Sequence, residues 1–348
     1  MTLRFIVVGL DHRHIWDLVE GLLATGAECA GWWPDSSDTR VVEGFRKRFP
    51  SLLEVGEKAA LLADPTVHFM VCAAVPCDRA GLAIEAMQHG KDVLMDKPGV
   101  TNEADLTLLQ QTVAHTGRVF SICFSERFLV PATTVALRLI RDGAIGRVVQ
   151  TAGFGPHRLN RSLRPDWFFD PARYGGILAD IASHQIDQFL VFTGADDARI
   201  VTSTIGIVDD PRLDRAVQAS FENFGEIVLR SERAAGYCRV DWFTPDGLPT
   251  WGDGRLTVIG TEGSIELRKY LDIEGRPGTD HLFLADRAGT RYIDCADEPI
   301  TYFRAYCADV RNRTETAMPQ SHVWTVCRLA LAAQSGAERF TFAGGMPL

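Results

Sequence analysis

At 348 residues the chain is long enough for about two domains of usual size. It is 46% hydrophobic and 23% charged, an ordinary globular usage with apolar material for two cores. A net charge of −9 without any block of like charges argues against nucleic acid as a partner, and no apolar run approaches the roughly 20 residues that span a bilayer.

The apolar run Phe5-Ile6-Val7-Val8-Gly9 is too short for the core of a signal peptide and is cut off by Asp11-His12-Arg13-His14, so it reads as a buried strand. Strand-like runs at 3–10, 27–33, 68–75, 92–95 and 118–124 alternate with helix-like stretches near 13–25, 38–48, 77–89 and 102–116. Strands that are apolar throughout and separated by helices predict a doubly wound parallel sheet covered on both faces.

The turn after the first strand is Gly9-Leu10-Asp11-His12-Arg13-His14. A dinucleotide fingerprint would place glycine at 9, 11 and 14, and Gly9 alone fits. Asp11 is expected to cap the following helix, but it also sets a carboxylate near two phosphates, a charge that His12 and Arg13 offset. The competing reading is a βαβ unit that has lost its cofactor. At the end of the second strand Trp33 stands where an acidic residue for the ribose is expected. Asp35 is two residues late but within reach; Ser36 and Arg40 are the candidates for a 2′-phosphate. NAD is the expectation, because Asp35 would repel that phosphate, with NADP the alternative.

Asp96-Lys97-Pro98 closes the fourth strand. Pro98 keeps Lys97 out of the helical region, which leaves it at the carboxyl end of the sheet where doubly wound folds bind ligands. Oxidising a carbinol requires a group of tunable pKa at the hydroxyl, and lysine serves when burial and neighbours tune it. A solvated lysine before a turn is the plainer alternative.

The second half has a different rhythm: a helix near 131–142, a strand after Gly146, an apolar helix at 176–193, strands near 200–207, 226–231, 236–243, 256–260 and 264–269, then helices near 302–314 and 321–336. Strands in succession predict an antiparallel sheet in an α+β domain. The division falls at 1–125 and 126–348. In the apolar helix Asp180 and His184 are four apart and share a face, with Asp187 one turn on. They read as the polar lining of a cavity, or else as a structural ion pair. The stretch 155–167 carries His157, Arg158, Arg161, Arg164 and Trp167. Arginine forks suit carboxylate, sulfonate or phosphate groups, and the faces of Trp167, Trp242 and Trp251 suit sugar C–H surfaces. A solvated basic loop over core tryptophans is the alternative. Eight cysteines (29, 72, 77, 123, 238, 295, 307 and 327) show neither Cys-x-x-Cys nor paired metal spacing. They read as small buried residues in a reducing cytoplasm, with no metal expected.

Further matching elements are Val75-Pro76 before a helix, Ser125-Glu126-Arg127-Phe128, Gly143-Ala144-Ile145-Gly146 and Gly260-Thr261-Glu262-Gly263-Ser264-Ile265. With Asp96-Lys97-Pro98 and the helix after Gly175, in this order and spacing, the chain resembles the glucose–fructose oxidoreductase, inositol dehydrogenase and rhizopine-catabolism (Gfo/Idh/MocA) family over nearly its whole length. The resemblance implies an N-terminal Rossmann domain and a C-terminal domain with an open, mostly antiparallel sheet. The outer face of that sheet would form a homodimer or homotetramer. It also implies NAD(P) and a sugar, cyclitol or related polyol as small-molecule substrate. Lys97 would carry the proton, and Asp180 and His184 would bind substrate or assist. Gly9, Asp11, His12, Trp33, Asp35, Val75, Pro76, Asp96 and Lys97 are then expected at the cofactor. Arg127, His157, Arg158, Arg161 and Trp167 are expected at the substrate. Departures from the family pattern are Asp11 and His14 in the turn, Trp33 at the ribose position, and Ala80 where a histidine often stands. Two other readings remain: a glycosidase working through transient sugar oxidation, and a non-catalytic homologue.

Overall fold

The computed structural model describes residues 2–36 and 38–342. Five parallel strands, β1 (Arg4–Leu10), β2 (Glu28–Trp32), β3 (Phe69–Ala73), β4 (Asp92–Asp96) and β5 (Phe120–Cys123), form one sheet in the order β2-β1-β3-β4-β5. Every residue of β3 and β4 is buried, as both faces carry helices. The helix Glu103–Thr116 shows how local chemistry sets its ends. Asn102 accepts a hydrogen bond from the Asp105 N–H, and Gly117 (φ +63°) takes the left-handed conformation that stops it. A short helix at Lys58–Ala63 was not expected from the sequence pattern.

The second sheet contains β6 (Val148–Pro156), β7 (Arg199–Val208), β8 (Phe224–Arg230), β9 (Ala235–Asp241), β10 (Arg255–Gly260), β11 (Ser264–Arg268), β12 (His281–Asp286), β13 (Gly289–Asp294) and β14 (Glu338–Phe342). Their order is β13-β12-β11-β10-β6-β9-β8-β7-β14, mostly antiparallel, with parallel pairings of β6 with β9 and β7 with β14. Burial alternates along β8 and β9, so one face is covered and the other is not. The last three strands lay outside the sequence expectation. β13 explains why: Gly289-Thr290-Arg291-Tyr292-Ile293-Asp294 is an edge strand with little apolar signal.

The covering helix, Ala182–Thr193, lies against β6. Gly153 makes that approach possible: an added Cβ would meet Gln185 Oε1 at 2.3 Å. The helix expected at 176–193 is divided into Ile177–Asp180 and Ala182–Thr193. Its first N–H groups are drawn onto side chains, Ile177 N onto Glu222 (2.8 Å) and Leu178 N onto Gln334 (2.9 Å). The His184 N–H bonds back to Ile181 O, a tightened turn at the junction. The helices Tyr302–Asn312 and Gln320–Ser335 return to the first sheet. There Tyr306 meets Phe69 edge-on (5.4 Å) and Trp324 stacks on Phe120 (5.5 Å). Among the described residues no helix is long and apolar enough to cross a membrane.

Candidate active site

Lys97 follows directly on β4 and is almost fully buried. Its Nζ donates to Asp180 Oδ1 at 2.7 Å, so the last residue of one short helix meets the first residue beyond a strand that lies over eighty positions earlier. Both side chains line a cleft of about 410 Å³ between the two halves of the molecule. His157, Arg158, Arg164, Trp167, Trp242 and Trp251 line it from the C-terminal half, and Arg13 and Pro76 from the N-terminal half.

His184 is placed differently from Asp180. It is buried behind the cleft surface, edge-on to Phe124 (6.1 Å), and its Nδ1 has no hydrogen-bond partner among the described residues. Burial foremost, with Lys97, Lys269 and His157 nearby against the pull of Glu126, brings its pKa down to about 3. His157, on the cleft surface between Trp242 and Trp251 (5.3 and 4.6 Å), has its Nδ1 on Gly155 O at 2.9 Å. Burial lowers its pKa to about 4. Both imidazoles are therefore neutral at ordinary pH. The suggested ion pair between Asp180 and His184 does not form, because Asp180 is on Lys97 and the tightened turn at Ile181 rotates the two apart.

Asp187, expected on the same side, instead receives Arg127 through two 2.7 Å bonds and His322 through a third of 2.7 Å. Arg127 is thereby corrected from a substrate contact to a structural partner: a fully buried carboxylate requires a counter-charge, and Arg127 supplies it. Arg161 is corrected as well. Its guanidinium lies over Phe169 (4.2 Å) and pairs with Asp214 (3.5 Å), away from the cleft lining. Arg158 and Arg164 do line the cleft. Arg158 donates to Pro245 O (3.1 Å) and Leu248 O. Arg164 lies over Phe168 (4.4 Å) and donates to Leu159 O (2.9 Å). Burial, then the charge of Arg13, lowers the Arg164 pKa to about 10. The Nε1 of Trp167 and the Nε1 of Trp242 are buried donors without hydrogen-bond partners among the described residues, and the Nε of Arg158 lies 3.9 Å from Asp246 Oδ1.

Behind the cleft the sequence reading missed a fully buried pair: Lys269 Nζ donates to Glu126 Oε2 at 2.7 Å, and Gln185 Nε2 joins it at 2.9 Å. Burial would raise the Glu126 carboxyl, but Lys269 and the neighbouring histidines hold it well below the usual carboxylate range. Glu126 lay within a noted motif; Lys269 carried no local signal.

A second cleft, of about 580 Å³, lies at the carboxyl ends of β1 to β3, lined among others by Gly9, Asp11, Trp33, Asp35, Ser36 and Val75. Gly9 (φ +77°) lets the backbone come so near β3 that an added Cβ would be 2.5 Å from Ala74 Cβ. Asp11 does not cap the helix His14–Leu23, whose N-cap, Arg13, has no side-chain bond. Its two oxygens accept instead from Ser36 Oγ (3.0 Å) and Val75 N (3.2 Å), which hold it toward the sheet. Arg40 is drawn onto Asp38 by bonds of 3.0 and 3.1 Å rather than left for a 2′-phosphate. Trp32 is in the core beside Phe45 (4.9 Å), so Trp33 is the tryptophan of this pair that faces the cleft.

Asp96 is enclosed by three donors. His14 Nδ1 meets Oδ1 at 2.9 Å; His12 Nδ1 (3.0 Å) and Arg79 Nη2 (3.1 Å) meet Oδ2. Burial opposes its ionisation, but His14 and Arg79 hold the carboxyl well below its ordinary value. Burial and His14 hold His12 well below its own.

The family model of the GFO/IDH/MocA C-terminal domain matches residues 134–266. A crystal structure from Erwinia carotovora atroseptica, of a protein assigned only provisionally as an oxidoreductase, is 42% identical. Its TM-score is 0.92 over 97% of this chain and 99% of that one. The chain belongs to the Gfo/Idh/MocA family of oxidoreductases. Within the family, the scyllo-inositol 2-dehydrogenase (NAD(+)) of Bacillus subtilis is 25% identical over 264 residues, 73% of this chain and 69% of that protein. A 3-ketoreductase from Actinomadura kijaniata, crystallised with NADP and TDP-benzene, shares the fold at 17% identity and a TM-score of 0.75. That alignment covers 99% of this chain and 100% of that one.

Proposed function

We propose that this family member is an NAD(P)-dependent oxidoreductase of a sugar, cyclitol or related polyol. Residues 1–125 would serve the cofactor, and residues 126–348 the substrate and the contact between copies. The observation that carries the reading is the 2.7 Å bond between Lys97 Nζ and Asp180 Oδ1 at the cleft surface. In the reductive direction the Lys97 ammonium, held by Asp180, gives its proton to the carbonyl oxygen. In the oxidative direction the neutral amine takes the hydroxyl proton. His157 and His184, both neutral, would act as hydrogen-bonding groups rather than as charged acids.

A nicotinamide dinucleotide fits the second cleft because Gly9 allows the close backbone approach that a pyrophosphate needs. Gly9, Trp33, Asp35 and Val75 would hold it, with His12 and Pro76 on the side of Lys97. When bound it supplies the acceptor or donor of the hydride. Asp35 in that cleft, with Arg40 engaged by Asp38, favours NAD over NADP. Arg158 and Arg164 on the cleft lining favour a substrate bearing an acidic group. Two or four copies would join through the outer face of the nine-stranded sheet.

Titrating NAD and NADP against tryptophan fluorescence, with Trp33 as reporter, tests the cofactor. Tighter binding of NADP would reverse the preference. A panel of neutral hexoses, inositols, uronates and sulfonated sugars, followed by nicotinamide absorbance, tests the reaction. Lys97→Met should lower turnover by about two to four orders of magnitude, the scale of a lost general acid/base, with cofactor affinity unchanged. Near-native turnover in that variant would remove Lys97 from the chemistry, and aglycone release without net reduced cofactor would favour the glycosidase reading.

A further inference from the structure

The cluster formed by His12, His14 and Asp96 has no part in the proton transfer proposed for Lys97, and its composition is unusual. Two imidazole nitrogens from one turn converge on one buried carboxylate, with the ring centroids 4.1 Å apart and the ligating atoms all within 4.8 Å of one another. Arg79, itself buried, also pairs with Asp96, so the carboxylate does not depend on the two histidines alone for a counter-charge. We propose that His12, His14 and Asp96 form a site for a divalent first-row transition ion of zinc-like preference, on the surface of the substrate cleft beside Lys97.

The geometry is close to what such an ion requires. Ligand bonds of about 2.0–2.2 Å set neighbouring donor atoms roughly 3–3.5 Å apart. The Nδ1-to-carboxylate distances are 2.9 and 3.0 Å, to Oδ1 and Oδ2 respectively, and the ligand atoms all lie within 4.8 Å of one another, so small shifts of the three side chains would bring them to that spacing. Each imidazole would present Nδ1 to the ion as a bare nitrogen, with any remaining ring proton on Nε2. The surrounding shell is in place. Arg79 donates to Ala74 O (2.7 Å), Asp96 O (2.9 Å) and Pro98 O (2.9 Å) while it holds Asp96 Oδ2, which fixes the orientation of the ligating carboxylate. Two imidazoles and one carboxylate suit zinc or a neighbouring transition ion. They do not suit magnesium or calcium, which take oxygen shells, nor ions that select thiolates. Three protein ligands on a cleft surface leave a position for an exogenous oxygen, the arrangement of catalytic rather than structural sites. That oxygen would be a substrate hydroxyl or carboxylate, oriented and polarised next to Lys97. His12 is also placed beside the proposed cofactor, so this site is tested in the absence of nicotinamide.

Cobalt(II) is the probe. The protein is stripped with a chelator, freed of the chelator and titrated with cobalt, and its visible ligand-field absorption is followed. One ion per chain is expected, with bands of a low-coordinate nitrogen–oxygen site that zinc displaces and magnesium does not. His12→Gln and His14→Gln should each weaken cobalt binding at least about a hundred-fold, beyond the ten- to hundred-fold cost of losing an outer-shell partner. His322→Gln, an imidazole on a different carboxylate, should leave it unchanged. Absence of saturable binding, or equal binding in the His12 and His14 variants, overturns the proposal and leaves the cluster as a hydrogen-bonded brace. Should either variant fail to fold, the stoichiometry and bands of the unaltered protein decide alone. Nicotinamide binding, read by fluorescence, does not enter this measurement.

Discussion

His157, His184 and His12 are held neutral by burial against an ordinary imidazole pKa of 6.5, the first two down to about 4 and about 3. As pH falls below about 6.5 the unfolded chain takes up protons that the folded chain refuses, so the unfolded state gains and stability decreases. Above 6.5 both states are neutral at these positions and the contribution is flat. Glu126 acts lower: its depressed pKa contributes stability above an ordinary value of 4.5, and this is lost as pH falls below it. The interval from 6.5 down to 4.5 therefore reports the histidines. The thermal midpoint should drop across it, and His184→Gln should make the slope shallower. A midpoint independent of pH over that interval would mean that these imidazoles are solvated. Burial is what the sequence could not supply at this scale. Asp180 and His184 were legible as a polar pair on an apolar segment, but not that one would reach Lys97 and the other be enclosed behind the cleft.

At the scale of elements, the strand-turn-helix around Gly9 is the most constrained unit near the site. The residue has φ +77°, and a Cβ there would press on Ala74, just beyond the end of β3. Left-handed backbone costs an L-residue about 1–2 kcal/mol, and forcing a methyl into a filled contact costs about 1–3 kcal/mol more. Gly9→Ala should therefore destabilise the protein by about 2–5 kcal/mol in urea unfolding and weaken nicotinamide binding. An unaltered midpoint would show that the turn relaxes freely. The glycine was readable because its role is local. The position of Asp11 was not, since the bonds from Ser36 and Val75 that draw it away from the helix start come from other elements.

Across the whole molecule, Asp187 ties three helical segments together, through Arg127 after β5, its own helix, and His322 on the helix that returns to the first sheet. Asp187 is completely buried, so removing its cation strands a charge. Arg127→Ala should destabilise by about 3–5 kcal/mol. Arg161→Ala, at a partly exposed pair with Asp214, should change stability by less than about 1 kcal/mol. Equal effects in chemical denaturation would contradict the division of these two arginines into a structural tie and a surface contact.

Periodicity and punctuation sufficed for the parallel sheet. β1 to β5 and the longer helices between them lie where alternating apolar runs and helix stops put them, because each is set by residues within a few positions of one another. The same local logic marked Lys97, placed at a strand end by its neighbouring Pro98, and gave a family resemblance that the structural comparison bears out. Tertiary structure alone decided the rest. It chose Arg158 and Arg164 over Arg127 and Arg161 for the cleft, paired the unsuspected Lys269 with Glu126, and gathered His12, His14 and Arg79 around Asp96. In each case the partners lie on different elements of the fold, or differ in which way one loop turns its side chains. Such choices depend on long-range packing and on the requirement that buried charge be balanced, neither of which leaves a periodic trace in the chain.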